Sequence, residues 1–401
     1  MNHNQDSDPD GDISDSASYE NEDTRSELNF DEFPETEEEK KKRFRVELSL
    51  KNENTTLADW QSLAISDYGL VNDDMRRKVW PRLLEVDPNP CERAPLLSEL
   101  SDHPEYNQVI LDVNRSLKRF PPGIPYKQRV ALQDQLTVLI LRVIMKYPHL
   151  RYYQGYHDVA ITFLLVVGEA VSFRIMEKLS TEHLRECMEV TMEKTSYRLN
   201  YIYPIIEREH PTLYEFLDRS TVGTMFVLPW YLTWFGHSLN QYRDVVRLYD
   251  FFLASPPLMP LYVAAALVLR RCDEIFEVGC DMASIHCLLS QIPDDTPFED
   301  ILKRASAMYD KYPPDIIEKS VKDRIRREAE QRKEELNRIK RRNAKKQPVW
   351  KRVSRIIPRW LPVNYRNKYQ IIFATATVLL GIYAYLRATD ASIPFLRWNQ
   401  S

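Results

Sequence analysis

One guanidinium and one carboxamide are the side chains best suited to chemistry in this sequence. Arg115 follows Asp112 by three positions, so the two residues project from one face of a helix. Gln154 stands beside Gly155 in the tyrosine-rich stretch 151–158. A guanidinium can neutralise negative charge that develops in a transition state, and an amide can orient a water molecule. With no obvious nucleophile or metal cluster beside them, these groups are predicted to complete the active site of another protein.

Other kinds of site are disfavoured by the residues present. The cysteines are scattered without a C-x-x-C pair, which favours reduced cytosolic thiols over a zinc site or a disulfide framework. They are Cys91, Cys187, Cys272, Cys280 and Cys287. His157 and His237 have no second ligand at metal spacing and are predicted to pack or to form hydrogen bonds. None of the nine glycines falls in a phosphate-binding arrangement, so we expect no nucleotide, metal or cofactor of the chain's own.

The elements that position these residues are predicted to be helices. Across residues 45–316, apolar side chains recur at spacings of three and four, and alternating strand-like runs are missing. Predicted helices near the candidate residues cover 109–117, 127–146, 157–171 and 181–203. Because 43% of the residues are apolar, the chain can bury a sizeable core. The sequence therefore predicts an all-α, multi-helix domain over 45–316.

The first 42 residues have the composition of a disordered acidic tail. Residues 1–39 carry fifteen acidic side chains against the single basic Arg25, a net charge of −14. Such a segment contains too few apolar side chains to fold by itself. It also lacks the basic and then apolar pattern of a signal peptide. We therefore predict disorder over 1–42 and no secretion signal.

A strongly basic segment follows the predicted helical domain. Residues 319–368 hold nineteen basic side chains against five acidic ones, a net charge of +14. A basic block often indicates nucleic acid, but this one directly precedes an apolar run, which favours membrane lipid as the partner and no nucleic acid. We predict a charged linker helix and a juxtamembrane segment over 317–368.

The apolar run at 370–386 is predicted to be a transmembrane helix. As a helix, its seventeen uncharged residues extend over roughly 26 Å, close to the thickness of the endoplasmic reticulum bilayer. Basic residues precede the run, so the positive-inside rule places residues 1–368 in the cytosol and 387–401 in the lumen. The expected localisation is a single-pass protein of the endoplasmic reticulum membrane.

The candidate residues resemble the motifs of a known family. Val109-x-x-Asp112-x-x-Arg115 and Tyr152-x-Gln154-Gly155 are similar to the two finger motifs of the TBC-domain family, the GTPase-activating proteins for Rab GTPases. Three more segments resemble motifs of that family in the family's order: Arg76-Arg77-x-x-Trp80-Pro81-x-Leu83-Leu84, PWYLTWFGH at 229–237 and RLYD at 247–250. Each motif is weak alone, but the ordered set is specific and implies a TBC-type helical domain.

The chain departs from the family's pattern at a few positions. Val109 replaces the usual isoleucine, and Tyr249 replaces a tryptophan. Arg151 and Tyr156 flank the glutamine where other residues are more usual. None of these changes touches the two fingers. Arg151 and Tyr156 are candidates for choosing which Rab is preferred.

The resemblance implies a role for each candidate residue. Arg115 is the expected arginine finger, and Gln154 is the glutamine supplied in place of the GTPase's own. Asp112 is expected to hold Arg115, and Tyr152 and Asp158 are expected to position the Gln154 loop. Gly155 is expected to allow the backbone to approach the partner closely. The other expected supporting or partner-binding residues are Arg77 and Trp80 of the opening motif. The implied partner is a Rab in its GTP-bound form, which carries the magnesium and the GTP. The chain is thus expected to activate a hydrolase without being one.

Two other hypotheses stay open at the level of the sequence. The first is a catalytically silent, TBC-like membrane scaffold that binds a GTPase or a tether. The second is a membrane-bound helical adaptor or enzyme of an unrelated type. For the GTPase-activating hypothesis, the short apolar run further suggests early secretory traffic between the endoplasmic reticulum and the Golgi, or lipid droplets. No motif identifies the Rab.

Overall fold

The fold is helical in every part of the chain that can be described. A computed structural model describes residues 34–89, 93–116, 125–345 and 368–388. Within these ranges the regular structure consists of α-helices and one short 3-10 helix, with no β-strand. The prediction of an all-α domain is confirmed.

The helices follow one another with short connections. The first nine are α1 (Glu37–Lys51), α2 (Leu57–Ile65), α3 (Asp73–Leu83), α4 (Leu97–Leu100), α5 (Tyr106–Ser116), α6 (Tyr126–Lys146), α7 (Tyr156–Val167), α8 (Glu169–Thr181) and, after the 3-10 helix Arg185–Met188, α9 (Glu193–Leu199). The others are α10 (Ile202–Glu209), α11 (Pro211–Ser220), α12 (Leu228–Leu232), α13 (Tyr242–Leu253), α14 (Met259–Arg270), α15 (Cys272–Glu277), α16 (Met282–Leu289), α17 (Phe298–Lys311), α18 (Pro314–Lys345) and α19 (Lys368–Ala388).

The chain divides into two compact units, Met1–Glu328 and Ala329–Ser401. In the first unit, α14 lies in the core: its residues from Met259 to Leu269 are all buried, and it packs against α10 and α17. Helix α7 is almost as deeply buried and packs against α3, α5, α6 and α8. Helices α5 and α7 are in contact, and the Tyr152 hydroxyl, just before α7, bonds to Asp112 near the end of α5.

Two of the predicted helices are interrupted. The prediction of one helix over 157–171 is wrong because Gly168, at φ +84°, ends α7 and separates it from α8. The prediction over 181–203 is also wrong, since that stretch contains the 3-10 helix, α9 and the start of α10. Apolar side chains keep their three- and four-residue spacing across these breaks, so periodicity alone does not reveal them.

Helix α1 begins inside the segment predicted to be disordered. The Thr36 hydroxyl accepts a hydrogen bond from the Glu39 backbone N–H, and the Glu39 carboxylate accepts one from the Thr36 N–H. Lys42, on the same helix, is fully buried. The prediction of disorder to residue 42 is therefore wrong from Glu37 onward, because a capping box and tertiary packing outweigh the acidic composition. Residues 1–33 lie outside the described residues.

A buried carboxylate joins α3 to α13. Asp250 is fully buried and accepts hydrogen bonds from the Arg76 guanidinium at 3.2 Å and from Trp80 Nε1 at 2.8 Å. The backbone N–H of Leu70 donates to the same carboxylate at 3.0 Å. A buried charge is tolerated when it is paired and hydrogen-bonded in this way. The motifs at 76–84 and 247–250 therefore meet in the core.

The structure describes only part of the segments for which the C-terminal predictions were made. Residues 317–345 of the charged stretch lie within α18, and the apolar run lies within α19. Among the described residues, however, no helix has both the length and the apolar character needed to cross a membrane. The transmembrane prediction for 370–386 is corrected accordingly, because a helix becomes a span only with sufficient apolar length. Residues 346–367 and 389–401, with most of the predicted juxtamembrane segment and lumenal tail, lie outside the described residues.

Candidate functional site

Arg115 is presented to solvent at the end of α5. Its side chain is 66% exposed, whereas the side chain of Asp112, one turn earlier, is 1% exposed. The guanidinium forms an ion pair with the Asp112 carboxylate through one terminal nitrogen, and its Nε donates to the Leu111 carbonyl at 3.2 Å. The buried carboxylate therefore restrains the guanidinium while much of the side chain stays open to a partner.

Asp112 is itself held by two further donors. Gln108 Nε2 and the Tyr152 hydroxyl both donate to Asp112 Oδ2 at 3.0 Å. Burial, followed by the neighbouring Asp112 charge, raises the pKa of Tyr152, so its hydroxyl stays protonated and remains a donor. Because Tyr152 belongs to the loop before α7, this bond connects the arginine helix to the glutamine loop.

Gln154 lies on a tight turn directly before α7, and its side chain is exposed. Gly155 caps the helix at φ +110°, in the left-handed region that favours glycine. A Cβ added at Gly155 would lie 2.8 Å from Thr233 Cγ2, which is closer than van der Waals contact allows. The Tyr153 hydroxyl donates to the Leu232 carbonyl at 2.8 Å. The turn is thus fixed against the end of α12.

Two histidines and a carboxylate extend this polar network. His157 is 6% exposed; its Nδ1 lies 2.8 Å from the Tyr152 hydroxyl oxygen and its Nε2 lies 3.4 Å from Asp158 Oδ1. His237 Nδ1 lies 3.0 Å from Asp158 Oδ2. Burial lowers the pKa of His157, against the attraction of the Asp158 and Asp112 carboxylates. His157 is therefore mainly neutral near pH 7.

Most of these groups border one cavity of about 790 Å³. Both predicted finger residues, Arg115 and Gln154, line it. The other polar or small lining residues are Asp112, Gly155, His157, Asp158, Thr233, Gly236, His237 and Asn240. Its apolar and aromatic wall is formed by Tyr153, Met192, Leu228, Pro229, Leu232 and Leu239. A cation and an amide at the edge of a large, partly apolar cavity suit a protein partner with an anionic reacting centre.

The structure brings together most of the residues that the sequence predicts for the site. Arg115, Gln154, Asp112, Gly155 and Asp158 all line the cavity. Tyr152 lies behind the lining and acts through its hydrogen bonds to Asp112 and His157.

The two predicted residues of the opening motif lie elsewhere. Trp80 is fully buried and bonded to Asp250, so a supporting role fits it and direct contact with a partner does not. Arg77 Nε donates to the Val166 carbonyl at 3.0 Å, which ties α3 to the end of α7. Both residues stabilise the helices that carry the site.

The residues that flank Gln154 differ in exposure. Arg151 is exposed, and its backbone N–H donates to the Met188 carbonyl at 2.8 Å. Tyr156 is fully buried, and its hydroxyl lies 2.7 Å from Ser180 Oγ. Of these two candidates for choosing a partner, only Arg151 can touch one without rearrangement.

The prediction that His157 and His237 pack or form hydrogen bonds is confirmed, and the structure adds that both line the cavity. Thr233, which the sequence presents only as part of the motif at 229–237, lines it as well. The signal for His237 and Thr233 was the motif at 229–237, which ends at the cavity. The proximity of His237 to Asp158, 79 positions earlier, is visible only in the folded chain.

Comparison with protein families identifies the fold's relatives. The family model described as the Rab-GTPase-TBC domain matches residues 73–276, about half of the chain. The chain belongs to the Rab-GTPase-TBC domain family. In this Rab-GTPase-TBC domain, both finger motifs and the motif at 229–237 fall within the matched residues.

Curated relatives extend the likeness beyond the family model. TBC1 domain family member 20 of Homo sapiens is 50% identical over 278 residues, which cover 69% of this chain and 68% of that protein. GTPase-activating protein gyp10 of Schizosaccharomyces pombe is 31% identical over 277 residues, covering 66% of this chain and 72% of that protein.

A solved structure has the same fold. The crystal structure of the Ypt/Rab-GAP domain of Gyp1p superposes with a TM-score of 0.54 at 16% identity, covering 68% of this chain and 97% of that one. The helical domain of this chain therefore has the TBC-type fold.

The site contains no obvious means of holding a metal. Among the residues that the structure describes, no group of three or more His, Cys, Asp or Glu side chains is placed to bind an ion.

Proposed function

We propose that this chain is a GTPase-activating protein for Rab GTPases that supplies Arg115 and Gln154 in trans. One observation carries the proposal: both side chains are exposed at a single cavity, and the Asp112–Tyr152 hydrogen bond joins the segments that present them. The partner class follows from the Rab-GTPase-TBC domain family and from the gyp10 relative, which is a GTPase-activating protein.

The chemistry of GTP hydrolysis requires the two groups that the cavity presents. Negative charge grows on the phosphate oxygens in the transition state, and an attacking water must be held in line with the bond that breaks. A guanidinium inserted from a partner neutralises the charge, and a carboxamide orients the water. Completion of this kind is worth on the order of 10⁵ in rate for a well-studied GTPase pair, or about 7 kcal/mol of barrier.

The GTPase is expected to bring everything else that the reaction needs. GTP and magnesium arrive bound to the Rab, so the GTP-bound form is the substrate complex. The chain contributes position and charge. Asp112 keeps the guanidinium directed, and the turn at Gly155 brings the backbone close to the partner.

A single-turnover assay with the full chain and a panel of GTP-loaded Rabs tests the proposal. We expect Arg115→Ala to bind the Rab within a few-fold of wild type and to lose stimulated hydrolysis, and Gln154→Ala to fail in the same way. Arg326→Ala is the matched control, because Arg326 is 70% exposed and pairs with Asp323 at the same i, i+3 spacing. Gln331→Ala is the control for Gln154, since both glutamines are exposed.

The same assay separates activation from a silent scaffold. A scaffold binds the GTP-loaded Rab without accelerating hydrolysis, so an inactive wild-type chain would contradict the proposal. Full activity of Arg115→Ala would remove the finger assignment.

We further propose that the chain works at the endoplasmic reticulum membrane, in early secretory traffic, with its TBC domain on the cytosolic side. Attachment to a membrane is supported by the +14 charge of residues 319–368 and by the exposed apolar side chains of α19, among them Val378 and Leu379. Basic residues near an anionic lipid surface contribute about 1 kcal/mol each. Flotation with vesicles rich in phosphatidylserine is expected to recover the full chain, and pure phosphatidylcholine vesicles to recover less. Equal recovery, or a diffuse cellular distribution, would contradict membrane attachment.

A further inference from the structure

A side-chain hydrogen bond spans the turn that carries Gln154. Tyr152 lies two positions before Gln154 and His157 three positions after it. The Tyr152 hydroxyl oxygen and His157 Nδ1 are 2.8 Å apart, and the two rings stack with centroids 6.4 Å apart at 30°. Since Tyr152 also bonds to Asp112, this contact lies between the support of Arg115 and the turn of Gln154.

The contacts form one continuous path across the site. The path runs from Arg115 to Asp112, then to the Tyr152 hydroxyl, then to His157. From His157 Nε2 it continues over 3.4 Å to Asp158, and from Asp158 over 3.0 Å to His237. His157 is the link that belongs to both halves, because one ring nitrogen contacts Tyr152 and the other contacts Asp158.

The number of N–H protons on the His157 ring decides how many of these contacts can be hydrogen bonds at the same time. Asp112, as the ion-pair partner of Arg115, accepts, so the single proton of the Tyr152 hydroxyl goes to Asp112. His157 Nδ1 must then donate to the Tyr152 oxygen. A neutral imidazole has only one N–H, so Nε2 faces the Asp158 carboxylate without a proton. If the N–H is on Nε2 instead, the hydroxyl proton turns to Nδ1 and the bond to Asp112 is lost. Only the doubly protonated ring satisfies all three contacts.

The charges around the ring act in opposite directions. Asp112 on α5 and Asp158 on α7 favour the doubly protonated ring, while Arg115 on α5 and His237 after α12 oppose it, and burial opposes it most strongly. Tyr152, from the loop before α7, faces the ring with a neutral hydroxyl. The complete network is therefore populated on the acid side of neutrality.

We propose that His157 is a positioning residue that holds both fingers at once, and that its protonation completes the bond network between them. This inference rests on the proposed function, in which Arg115 and Gln154 act together. It assigns to His157 no contact with the nucleotide. The consequence is that His157 acts on kcat, since it orders groups that are used in the transition state, and much less on KM.

Two substitutions in the full chain separate positioning from packing. His157→Phe keeps an aromatic ring of similar size and removes both hydrogen-bonding nitrogens. We expect its stimulated kcat to fall about tenfold at an unchanged KM. His157→Asn places an amide near the position of Nδ1, which restores a donor to Tyr152 without a titratable ring. We expect it to recover most of the lost kcat.

The pH profile is the readout that a packing role does not change. Between about pH 8 and about pH 5.5 we expect the ratio of wild-type kcat to His157→Asn kcat to rise about threefold as the pH falls. Rab intrinsic hydrolysis, measured alone at each pH, is subtracted. A pH-independent ratio, a wild-type kcat in His157→Phe, or a defect confined to KM would overturn the proposal. If His157→Phe does not fold, the His157→Asn profile alone decides.

Direct detection of the His157 hydrogen bond tests the positioning role separately from the proposed GTPase activation. Nitrogen NMR of selectively labelled histidine is expected to show the Nδ1 hydrogen bond of His157 in wild type and its loss in Tyr152→Phe. If no Rab is activated by wild type but this bond is present, the proposed function fails by itself. If wild type activates a Rab and the bond is absent, the positioning role fails by itself.

Discussion

The Tyr152 hydroxyl donates to Asp112 Oδ2 at 3.0 Å, although the two residues are 40 positions apart in the chain. This bond gives the helix of Arg115 and the turn of Gln154 a shared buried anchor. Its partners are a carboxylate with 1% exposure and a hydroxyl whose pKa is raised by burial. A bond of this kind is not readily exchanged for water, so it fixes the position of the Arg115 helix relative to the Gln154 loop.

Removing this hydroxyl is expected to separate the fingers without unfolding the domain. For Tyr152→Phe we expect stimulated kcat to fall by about tenfold or more, since Asp112 keeps Gln108 and Arg115 but the glutamine loop loses its side-chain bond to α5. Single-turnover hydrolysis at saturating chain measures the effect. Tyr126→Phe, at a tyrosine that is 71% exposed, is the control with the same chemical change. Equal kcat in both variants would contradict the role of the bond.

Gly155 is expected to tolerate no side chain. In Gly155→Ala, the added Cβ meets Thr233 Cγ2 at 2.8 Å and the backbone stays at φ +110°. We therefore expect a loss of about 1–3 kcal/mol in unfolding free energy. We also expect slower stimulated hydrolysis, because Gln154 is displaced. Gly223→Ala is the control, because φ is +63° there and nothing lies within 4 Å of the added Cβ. Denaturant unfolding and single-turnover hydrolysis measure both variants.

A second substitution separates the clash from backbone strain at Gly155. Thr233→Ser removes Cγ2, so the double variant is expected to recover the part of the loss that comes from contact. A double variant as unstable as Gly155→Ala would assign the whole loss to the backbone.

The buried carboxylate of Asp250 is expected to be essential for stability. Asp250→Asn keeps the shape but leaves the buried Arg76 guanidinium with Asp73 as its remaining ion-pair partner, so we expect a loss of about 3–5 kcal/mol. Asp74→Asn removes an exposed ion pair with Arg77 and is expected to cost less than about 1 kcal/mol. Urea unfolding followed by circular dichroism compares them, and similar losses would contradict the importance of the buried pair.

Lys42 is expected to give the stability of the domain an alkaline pH dependence. Burial lowers the pKa of Lys42 to about 8, and its Nζ donates to the Leu63 carbonyl at 2.7 Å and to Ser66 Oγ at 2.6 Å. Below that pH the lysine is charged in both states, and the folded state bears the cost of burying the charge. As the pH rises from about 8 towards about 10, the unfolded chain holds more protons, so unfolding free energy is expected to increase.

The comparison variant for this effect is Lys42→Met, which keeps the length of the side chain and removes its charge. We expect the rise between about pH 8 and about pH 10 to disappear in this variant. Chemical unfolding at several pH values measures the difference. A parallel rise in both proteins would assign the dependence to other groups.

The sequence was sufficient where the signal is local. Helical periodicity predicted an all-α domain, and the spacing of Asp112 and Arg115 placed the pair on one helix face, where the ion pair is found. The ordered motifs indicate the family from the sequence alone. Local signals also gave two wrong predictions. The acidic composition predicted disorder where the capping box at Thr36 starts α1, and continuous periodicity predicted one helix where Gly168 separates α7 from α8.

The tertiary structure decided what depends on distant residues. Only the fold shows that Trp80 is buried against Asp250, whereas Arg115 and Gln154 are open to a partner. Only the fold brings His237 to Asp158 and places His157 between Tyr152 and Asp158. The physical reason is that periodicity and spacing report how a segment meets its own neighbours, whereas burial and hydrogen-bond partners are set by chain segments tens of positions away.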